Sequence, residues 1–480
     1  RCLCFDSILL VMTMLRKTIT FLRSKGWSEV LPLDHHIYFH QLIAYFVLFF
    51  SLTHTICHVL NFTIILPQNS NFTAIEYLFF PKATMNFGLI KGYSCITGWI
   101  LIIILLIMAA FAQPCIRRSN KFEVFYFTHL LFIVWYIALI LHTPTYWIWI
   151  QIPELFFVIE IITRLIWRSR SAKLIVAKLL PSRVIHLAIR KPEDFKHKAG
   201  DYVYLNIPMI SKTEWHPFTI SCAPEQEGVI WLHIRAVGKW TEILYNHFLN
   251  KINSNKSSRR LSMRFEETKS QMFTKYEVIT MIDKPFVVRL DGSYGTPSRQ
   301  IFDSQHAVLV ATGIGVTPFA SILQSIFYRL QNSSIRLSLD NNRMNLKKVD
   351  FVWINRNHKS FEWFIKLLHN LETEQLKLPE YKRILNFHMY ITSATNRTDI
   401  RSLLLQLALD LMREKTDRDF ITGMRQRVHW GRPDWDEFLN EIRINRRGDV
   451  TVFFCGPPQL SRLLNKKCNQ FGFKFRNEIF

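Results

Sequence analysis

Four histidines inside long apolar segments constrain the fold of this chain more than any other feature of its sequence. His40 and His54 are 14 residues apart in one segment, and His129 and His142 are 13 residues apart in another. On α-helices both spacings correspond to about 20 Å of rise. One such histidine is as often a partnered packing residue, although an ionisable side chain inside a bilayer is costly. Two pairs with nearly the same spacing therefore predict a functional site.

Five segments are candidates for crossing a bilayer, which requires about 20 largely apolar residues. They are 3–22, 38–64, 94–113, 122–142 and 148–167. The first is the weakest, because Asp6, Arg16 and Lys17 interrupt it. Basic residues follow the first, third and fifth segments, which predicts that these ends are cytoplasmic. The loop 65–93, with a glycosylation sequon at Asn71, is then expected outside.

This orientation pairs the histidines by depth, His40 with His129 and His54 with His142. Two facing neutral imidazoles can bind a haem iron from both sides, so two levels predict two haems. A single zinc ion is excluded, because ligands about 20 Å apart cannot surround one point. Thirteen residues of ideal helix leave His142 rotated about 140° from His129, so the fourth segment must be tightened or tilted.

Beyond residue 170 the sequence changes to short alternating runs, which predict the strands of an antiparallel barrel. One of these runs, HPFTIS at 216–221, places an aromatic residue beside a hydroxyl, which suits a flavin; alone, it fits an ordinary edge strand better. Downstream, Arg235 is suited to a pyrophosphate. Residues 238–241 are expected to open a helix whose backbone N–H groups face the same anion.

Past residue 298 strands and helices alternate, as in a doubly wound sheet. A strand runs into Gly313-Ile-Gly-Val-Thr-Pro and then a helix, the context in which a glycine loop binds phosphates. Arg356 and Arg432 follow later strands and are candidates for a ribose 2′-phosphate, although each alone fits a solvated surface residue. Cys455 and Gly456 end another strand, at the edge where such sheets bind ligands.

The formal charge is +23, from 60 basic and 37 acidic residues, and it requires an anionic partner. The sequence contains no nucleic-acid motif, so a membrane leaflet and a phosphate-bearing cofactor account for this charge better. The eight cysteines show no metal-binding spacing. The C-terminal part is therefore expected in the reducing cytosol, attached to a plasma or internal membrane.

The motifs HPFTISCAPE, HIRAVGKWT, ATGIGVTPFASIL and FFCGPP, in this order behind four histidines, resemble those of NADPH oxidases, within the ferric reductase-like transmembrane superfamily. CIRRSNKFEVFY, GTPSRQIF and VDFVWINRNHKSFEWF are most similar to the calcium-regulated NADPH oxidase 5 type. The resemblance implies three domains. They are a membrane α-helical bundle that binds two haems (1–170), an antiparallel β-barrel that binds FAD (171–297) and a doubly wound α/β domain that binds NADPH (298–480).

The resemblance also implies an activity, in which electrons pass from cytosolic NADPH through FAD and two bis-histidine haems to dioxygen outside, producing superoxide. The implied haem ligands are His40, His54, His129 and His142, and His58 would line the oxygen site. The residues implied to bind FAD are His216, Pro217, Phe218, Thr219, Arg235, Gly238, Trp240 and Thr241. Those implied to contact NADPH are Gly313, Gly315, Thr317, Pro318, Arg356, Arg432, Cys455 and Gly456, and Phe480 would cover the flavin.

The sequence departs from that pattern at its N-terminal end. The family has six membrane helices, preceded in the calcium-regulated members by EF-hands, and we expect the missing parts upstream of Arg1. Two segments are candidate regulatory sites: Ser262 for phosphorylation, and 403–415 for docking calmodulin or the EF-hands. A homo-oligomer is a further candidate.

Two rival functions remain. A transmembrane ferric-chelate reductase shares the whole plan and differs only in the electron acceptor. A non-catalytic membrane subunit or proton conduit is disfavoured, because the flavin and NADPH motifs are all present.

Overall fold

The computed structural model describes residues 1–65, 73–80, 89–90, 92–117, 122–169, 171–259, 277–280, 286–335, 345–356, 362–380, 383–392, 419, 424–426 and 428–478. The chain forms two compact units, Arg1–Leu165 and Ile166–Phe480.

The first unit is helical. Its helices are α1 (Cys2–Met12), α2 (Arg16–Ser24), α3 (His36–Leu60), α4 (Ala74–Phe79), α5 (Ser94–Phe111), α6 (Pro114–Arg117), α7 (Phe122–His129), α8 (Phe132–His142) and α9 (Tyr146–Ser169). Within the described ranges, three helical stretches are long and apolar enough to cross a membrane: Leu33–Ile65, Ser94–Phe111 and Phe122–His142. Buried side chains of α3, α5 and α8, such as Val47, Leu101 and Trp135, pack together between them.

The first expected span, 3–22, is not one helix. It breaks between α1 and α2, where the Thr13 hydroxyl donates to the Leu10 carbonyl. The Glu160 carboxylate of α9 then accepts a hydrogen bond from the Lys17 backbone N–H at 3.2 Å, in the first turn of α2. A carboxylate at a helix N-terminus is favourable, because it meets the positive end of the helix dipole. The break therefore has a polar partner inside the bundle.

The fourth span is tightened between His129 and His142, whose spacing required a departure from an ideal straight helix. Between α7 and α8, the Leu131 N–H donates to the Thr128 carbonyl and the Ile133 N–H donates to the Leu130 carbonyl, at 3.2 and 3.1 Å. Both bonds span three residues instead of four. Such a turn advances about 120° per residue, against about 100° in an α-helix. The overwinding confirms the expected tightening and reduces the angular offset between His129 and His142.

The second unit begins with an antiparallel sheet. Its strands are β1 (Ser171–Leu180), β2 (Val184–Arg190), β3 (Tyr202–Asn206), β4 (His216–Thr219), β5 (Val229–Arg235), β6 (Glu277–Thr280) and β7 (Val287–Tyr294). The order is β4-β3-β7-β1-β2-β5, with β6 also paired to β1. An isolated bridge between Ile220 and Leu232 joins the residues after β4 to β5, so the two edges meet as in a barrel. Helix α10 (Lys239–Arg259) follows β5.

The remainder is a parallel sheet in the order β11-β10-β9-β8-β12-β13. The strands are β8 (His306–Thr312), β9 (Lys348–Asn355), β10 (Leu385–Ile391), β11 (Val428–Trp430), β12 (Val450–Cys455) and β13 (Lys474–Glu478). The helices are α11 (Thr317–Ile335), α12 (Glu362–Leu376), α13 (Trp435–Ile444) and α14 (Pro458–Phe471). The strand order reverses between β8 and β12. A doubly wound sheet binds its ligand at this switch point, beyond the carboxyl ends of the strands.

Candidate functional site

The four histidines of the helical unit form two facing pairs. The ring centroids of His40 and His129 are 6.3 Å apart, and those of His54 and His142 are 6.2 Å apart. An imidazole nitrogen lies about 2 Å from the metal that it binds, and the ring centroid lies about 1 Å behind it. Two imidazoles on opposite sides of one iron should therefore have centroids about 6 Å apart. The separation of both pairs fits a haem iron between them.

The second ring nitrogen of two of these histidines is already engaged. Nδ1 of His40 lies 3.2 Å from the Thr13 hydroxyl, and Nδ1 of His142 lies 3.0 Å from the Thr97 hydroxyl. Metal-bound histidines usually have such a partner on the other nitrogen, which orients the ring. Nε2 of both rings is then left for a metal. The pattern is incomplete at His129, whose buried Nδ1 has no hydrogen-bond partner among the residues described.

A cavity of about 670 Å³ lies beside the pair formed by His54 and His142. His58 also lines it, with its ring centroid 4.4 Å from that of His54. Gly98 faces the same space, and a Cβ at this position would lie 3.3 Å from Cε1 of His142. The cavity is therefore lined by two candidate metal ligands, by a third histidine, and by a glycine that leaves room for the His142 ring.

In the antiparallel sheet, β4 presents the expected flavin residues against one buried tryptophan. The Trp240 ring lies 4.4 Å from the His216 ring and 5.9 Å from the Phe218 ring. Nε2 of His216 lies 3.0 Å from the Glu214 carboxylate. Thr219 is buried, whereas Pro217 is exposed. Trp240 therefore packs against the His216 and Phe218 side chains of this strand, a contact that its place in the sequence did not indicate.

The start of α10 differs from the expected anion site in one respect. The Thr241 hydroxyl accepts hydrogen bonds from the N–H groups of Val237 and Gly238, at 3.1 and 3.0 Å. The Gly238 N–H is thus occupied by the protein and is not free for a pyrophosphate. The exposed Arg235 side chain reaches towards the glycine loop, because its Nη1 would lie 3.6 Å from a Cβ on Gly313. Arg235 is therefore close to residues expected in the other cofactor site.

The glycine loop lies at the switch point of the parallel sheet. Gly313 has a φ of +56°, which glycine adopts without strain. Its carbonyl accepts a hydrogen bond from Nε1 of Trp353 in β9 at 3.1 Å. The Thr317 hydroxyl donates to the Ile314 carbonyl at 3.1 Å, and Pro318 is buried in the first turn of α11. Sequence reasoning did not identify Trp353, because nothing in its own segment links it to the loop.

Two glycines of this site are required by the protein's own backbone. A Cβ on Gly315 would lie 2.5 Å from the Cys455 carbonyl oxygen, and a Cβ on Gly456 would overlap the Thr312 hydroxyl. The loop after β8 and the end of β12 can approach each other only because both side chains are absent. Gly315 was expected to make room for a phosphate, but the close approach of the Cys455 carbonyl is by itself sufficient to require a glycine there.

Cys455 ends β12 opposite Glu478 of β13. Burial, with the nearby Glu478 carboxylate, raises the pKa of the Cys455 thiol well above its usual range, so the thiol is neutral at physiological pH. The Ser298 hydroxyl donates a hydrogen bond to the buried Glu478 carboxylate. No sequence pattern indicated a role for Ser298 or for Glu478.

Arg356 follows β9 and Arg432 follows β11, both at the carboxyl edge of the sheet. Both side chains are exposed, and neither has an ion pair or hydrogen bond within the described part of the chain. Both are therefore available to an anion. The predictions for Asn71, Ser262, the segment 403–415 and Phe480 lie outside the described residues.

Comparison with known proteins divides the chain among three families. The family described as "Ferric reductase like transmembrane component" matches residues 4–140, "FAD-binding domain" matches 169–298, and "Ferric reductase NAD binding domain" matches 304–469.

Similar proteins also cover the whole chain. "NADPH oxidase 5" of Homo sapiens is 44% identical over 100% of this chain and 64% of its own length. A superoxide-generating NADPH oxidase heavy chain of Dictyostelium discoideum is 34% identical over 96% of this chain and 84% of its own length. "NADPH oxidase 1" of Mus musculus is 30% identical over 100% and 85%. The chain thus spans just under two thirds of the human relative.

Proposed function

The chain belongs to the NADPH oxidase family, and from this we propose that it transfers electrons from NADPH, through FAD and two haems, to dioxygen, with superoxide as the product. It is an integral membrane protein with an FAD-binding and a NAD-binding domain. The observation that carries the proposal is the pair of histidine separations, 6.3 and 6.2 Å, in the same chain as both nucleotide-binding domains. A flavoprotein that served only soluble acceptors would not need them.

In the helical unit, His40 with His129 and His54 with His142 would each hold one haem. When bound, the haems supply one-electron transfer. The cavity beside His54 and His142 would hold the electron acceptor next to the haem that this pair would bind. His58, which lines that cavity beside His54, is suited to hold an oxygen species by hydrogen bonding.

In the second unit, His216, Pro217, Phe218 and Thr219 would hold the flavin ring, with Trp240 behind them. FAD, when bound, accepts hydride as a two-electron unit and passes electrons on singly. Arg235 would bind the pyrophosphate, while Thr241 and Gly238 shape the adjacent helix start. We also propose that Phe480, two residues beyond β13, covers the flavin until NADPH binds.

For NADPH, the loop of Gly313, Gly315, Thr317 and Pro318 would hold the phosphates at the start of α11. The exposed guanidinium groups of Arg356 and Arg432 suit a 2′-phosphate, which distinguishes NADPH from NADH. Cys455, whose raised pKa keeps its thiol neutral, would contact the nicotinamide without adding charge beside it, and Gly456 follows it at the end of β12. These residues orient the donor and exclude water.

Sidedness and regulation complete the proposal. The basic residues that follow the first, third and fifth apolar segments favour cytosolic nucleotide-binding domains and an external or luminal loop 65–93. The resemblance of its motifs to the calcium-regulated type favours activation by calcium, through an EF-hand segment or calmodulin, and a homo-oligomer is a further candidate. Addition of calcium-loaded calmodulin to the purified chain tests the second route.

The decisive experiment follows the haem absorption of purified chain loaded with FAD and haem. Anaerobic NADPH should reduce two low-spin haems, and oxygen should reoxidise them while superoxide forms. The second candidate function is a ferric-chelate reductase, which two of the matching family descriptions favour. It requires rapid reoxidation by a ferric chelate but not by oxygen. Failure to bind haem, or an unchanged spectrum after His54→Ala and His142→Ala, contradicts both.

A further inference from the structure

Helix α11 carries a buried polar stripe, formed by Ser321, Gln324 and Ser325, among the buried apolar residues of its first half. These residues are three and four positions apart, so they share one face. Both serines are fully buried and Gln324 is 9% exposed. Buried hydroxyl and amide groups are retained only where they have hydrogen-bond partners. The partners of the stripe therefore indicate what this face of α11 must contact.

The partners all belong to one short segment, residues 221–225, which follows β4. The Gln324 side chain accepts a hydrogen bond from the Ala223 N–H and donates one to the Ser221 carbonyl, both at 3.2 Å. The Ser321 hydroxyl donates to the Cys222 carbonyl at 2.6 Å. The Ser325 hydroxyl donates to the Glu225 carboxylate at 2.7 Å. The polar stripe thus contacts nearly every residue of the segment.

Each end of this connection leads directly to a candidate cofactor site. The segment 221–225 continues from β4, and the Ser221 N–H donates to the Trp231 carbonyl of β5 at 2.9 Å, which fixes the segment to the barrel. Helix α11 continues from the glycine loop, and Gln324 is seven residues beyond Thr317 at its start. These hydrogen bonds therefore connect the segment that follows the flavin strand directly to the helix that follows the glycine loop.

We propose that Gln324 is a positioning residue for hydride transfer, and that it acts by fixing β4 relative to the glycine loop. Its amide both donates and accepts, so it resists sliding of the helix in either direction along the segment. The inference rests on the proposed function, because it assumes that flavin and nicotinamide meet between these elements. It goes beyond that function by assigning a rate effect to a side chain that contacts neither cofactor.

The test is anaerobic stopped-flow reduction of the FAD-loaded, haem-loaded chain by NADPH. For Gln324→Met we expect flavin reduction at saturating NADPH to slow at least about 10-fold, since a displacement of about 1 Å can cost about 100-fold. The dissociation constant for NADPH should stay within about two-fold, because the binding contacts are intact. Gln324→Glu, which keeps the acceptor for the Ala223 N–H but when ionised is repelled by the Ser221 carbonyl oxygen, should slow the same step.

The chain offers a matched control in Gln375. This residue is similarly buried, and its amide accepts from the Leu385 N–H at 2.6 Å and donates to the Leu385 carbonyl at 2.7 Å. Both contacts stay inside the parallel-sheet part of the unit. Gln375→Met should lower thermal stability as Gln324→Met does, yet leave the rate of flavin reduction at the wild-type value.

The outcomes separate this inference from the proposed function. If the wild-type flavin is not reduced by NADPH, the function fails. If the wild type is reduced and Gln324→Met matches it, or if Gln375→Met is equally slow, the positioning role is overturned. A rise in the NADPH dissociation constant at an unchanged limiting rate also overturns it. If Gln324→Met does not fold, Gln324→Glu and Ser321→Ala are measured instead. Wild-type rates of flavin reduction in both of these variants would overturn the positioning role.

Discussion

The hydroxyl of Thr97 lies 3.0 Å from Nδ1 of His142, so a residue of α5 orients a histidine of α8 that faces His54. The same hydroxyl is within reach of the Tyr93 and Ser94 carbonyls, each at 3.1 Å, which fixes its position in the first turn of α5. The orientation of the His142 ring therefore depends on a neighbouring helix as well as on its own.

The first prediction is that Thr97→Val weakens haem binding at the pair of His54 and His142. Loss of a partner on the non-ligating nitrogen typically costs about 10-fold to 100-fold in metal affinity. The measurement is haem retention and the midpoint potential of each haem during redox titration. Only one of the two haems should change.

Thr63→Val is the matched control for this change. Among the described residues, the Thr63 hydroxyl bonds only within its own helical segment, to the Val59 carbonyl at 2.8 Å and the Leu60 carbonyl at 3.3 Å. Its replacement should leave both potentials at their wild-type values. Equal shifts in the two variants would rule out a specific role for Thr97.

The second prediction concerns Gly315→Ala. The new Cβ would meet the Cys455 carbonyl oxygen at 2.5 Å, so either the loop or the end of β12 must move. Forcing an additional methyl group into a packed site typically costs about 1–3 kcal/mol. We expect a lower temperature of flavin release and weaker NADPH binding, measured by thermal shift and by equilibrium titration.

Gly228→Ala separates the steric effect from conformational strain. Gly228 has a φ of +76°, and no atom of the described residues lies within 4 Å of a Cβ there, so this variant tests strain without a clash. Its cost should be about 1 kcal/mol, with unchanged NADPH binding. Tight NADPH binding by Gly315→Ala would show that the loop accommodates the methyl group.

The third prediction is that Arg356→Ala and Arg432→Ala reduce the preference for NADPH over NADH. Each lost hydrogen bond to a phosphate should cost about 1.5–3 kcal/mol, or roughly 10-fold to 100-fold in NADPH affinity. The affinity for NADH, which has no 2′-phosphate, should hardly change. Steady-state KM values for both donors provide the measurement.

Arg446→Ala is the control for this pair. Arg446 is also exposed, but it lies between α13 and the start of β12, at the amino edge of the sheet. It should affect neither donor. A parallel loss of NADPH and NADH binding in the Arg356 and Arg432 variants would instead indicate contact with the pyrophosphate.

The fourth prediction is a loss of stability in mild acid. Burial, with Lys178 nearby, lowers the pKa of His186 to about 4, and burial, with Lys191 nearby, lowers the pKa of His197 to about 4. In the unfolded chain both titrate near 6.5. Between these values the unfolded state binds more protons, so stability falls as the pH drops from about 6.5 to about 4.

Asp201 acts in the opposite direction, because burial raises its pKa to about 6, against the effect of Arg299. Between about 4 and about 6 the folded state holds its proton, so this residue favours folding towards lower pH. The two histidines together should change the stability more than the single carboxyl does, so we expect a net loss of stability as the pH falls. Flavin-release temperatures across this range test it, and His186→Phe should flatten the profile. An identical profile in that variant would exclude His186 as a cause.

The sequence predicted the ligand pairs because helix spacing, together with the orientation that the basic residues indicate, fixes which histidines share a depth. It also predicted that the segment from His129 to His142 must be tightened or tilted, although not which of the two or where. The tight turn lies at Leu130 and Leu131, a detail set by hydrogen bonds that no periodicity shows. The alternating short runs likewise predicted the antiparallel barrel. The position of the glycine loop between a strand and a helix predicted its place in the parallel sheet.

The remaining features depend on partners distant in sequence. Trp353 donates to Gly313 across 40 residues, and Gln324 contacts Ala223 across 101. Neither side chain belongs to a local pattern, so only the folded chain shows what it contacts. The break between α1 and α2 was also missed, because the apolar residues on both sides are compatible with one continuous helix.

The tight turn after His129 sets the angle between His129 and His142. For that angle, the number of residues between the two histidines matters more than which apolar residues they are. Each residue added to or removed from the interval between His129 and His142 would turn one ring by about 100° relative to the other. Substitutions at the lipid-facing positions leave that rotation unchanged. Natural variants of this interval should therefore differ freely in apolar side chains while its count of residues stays constant.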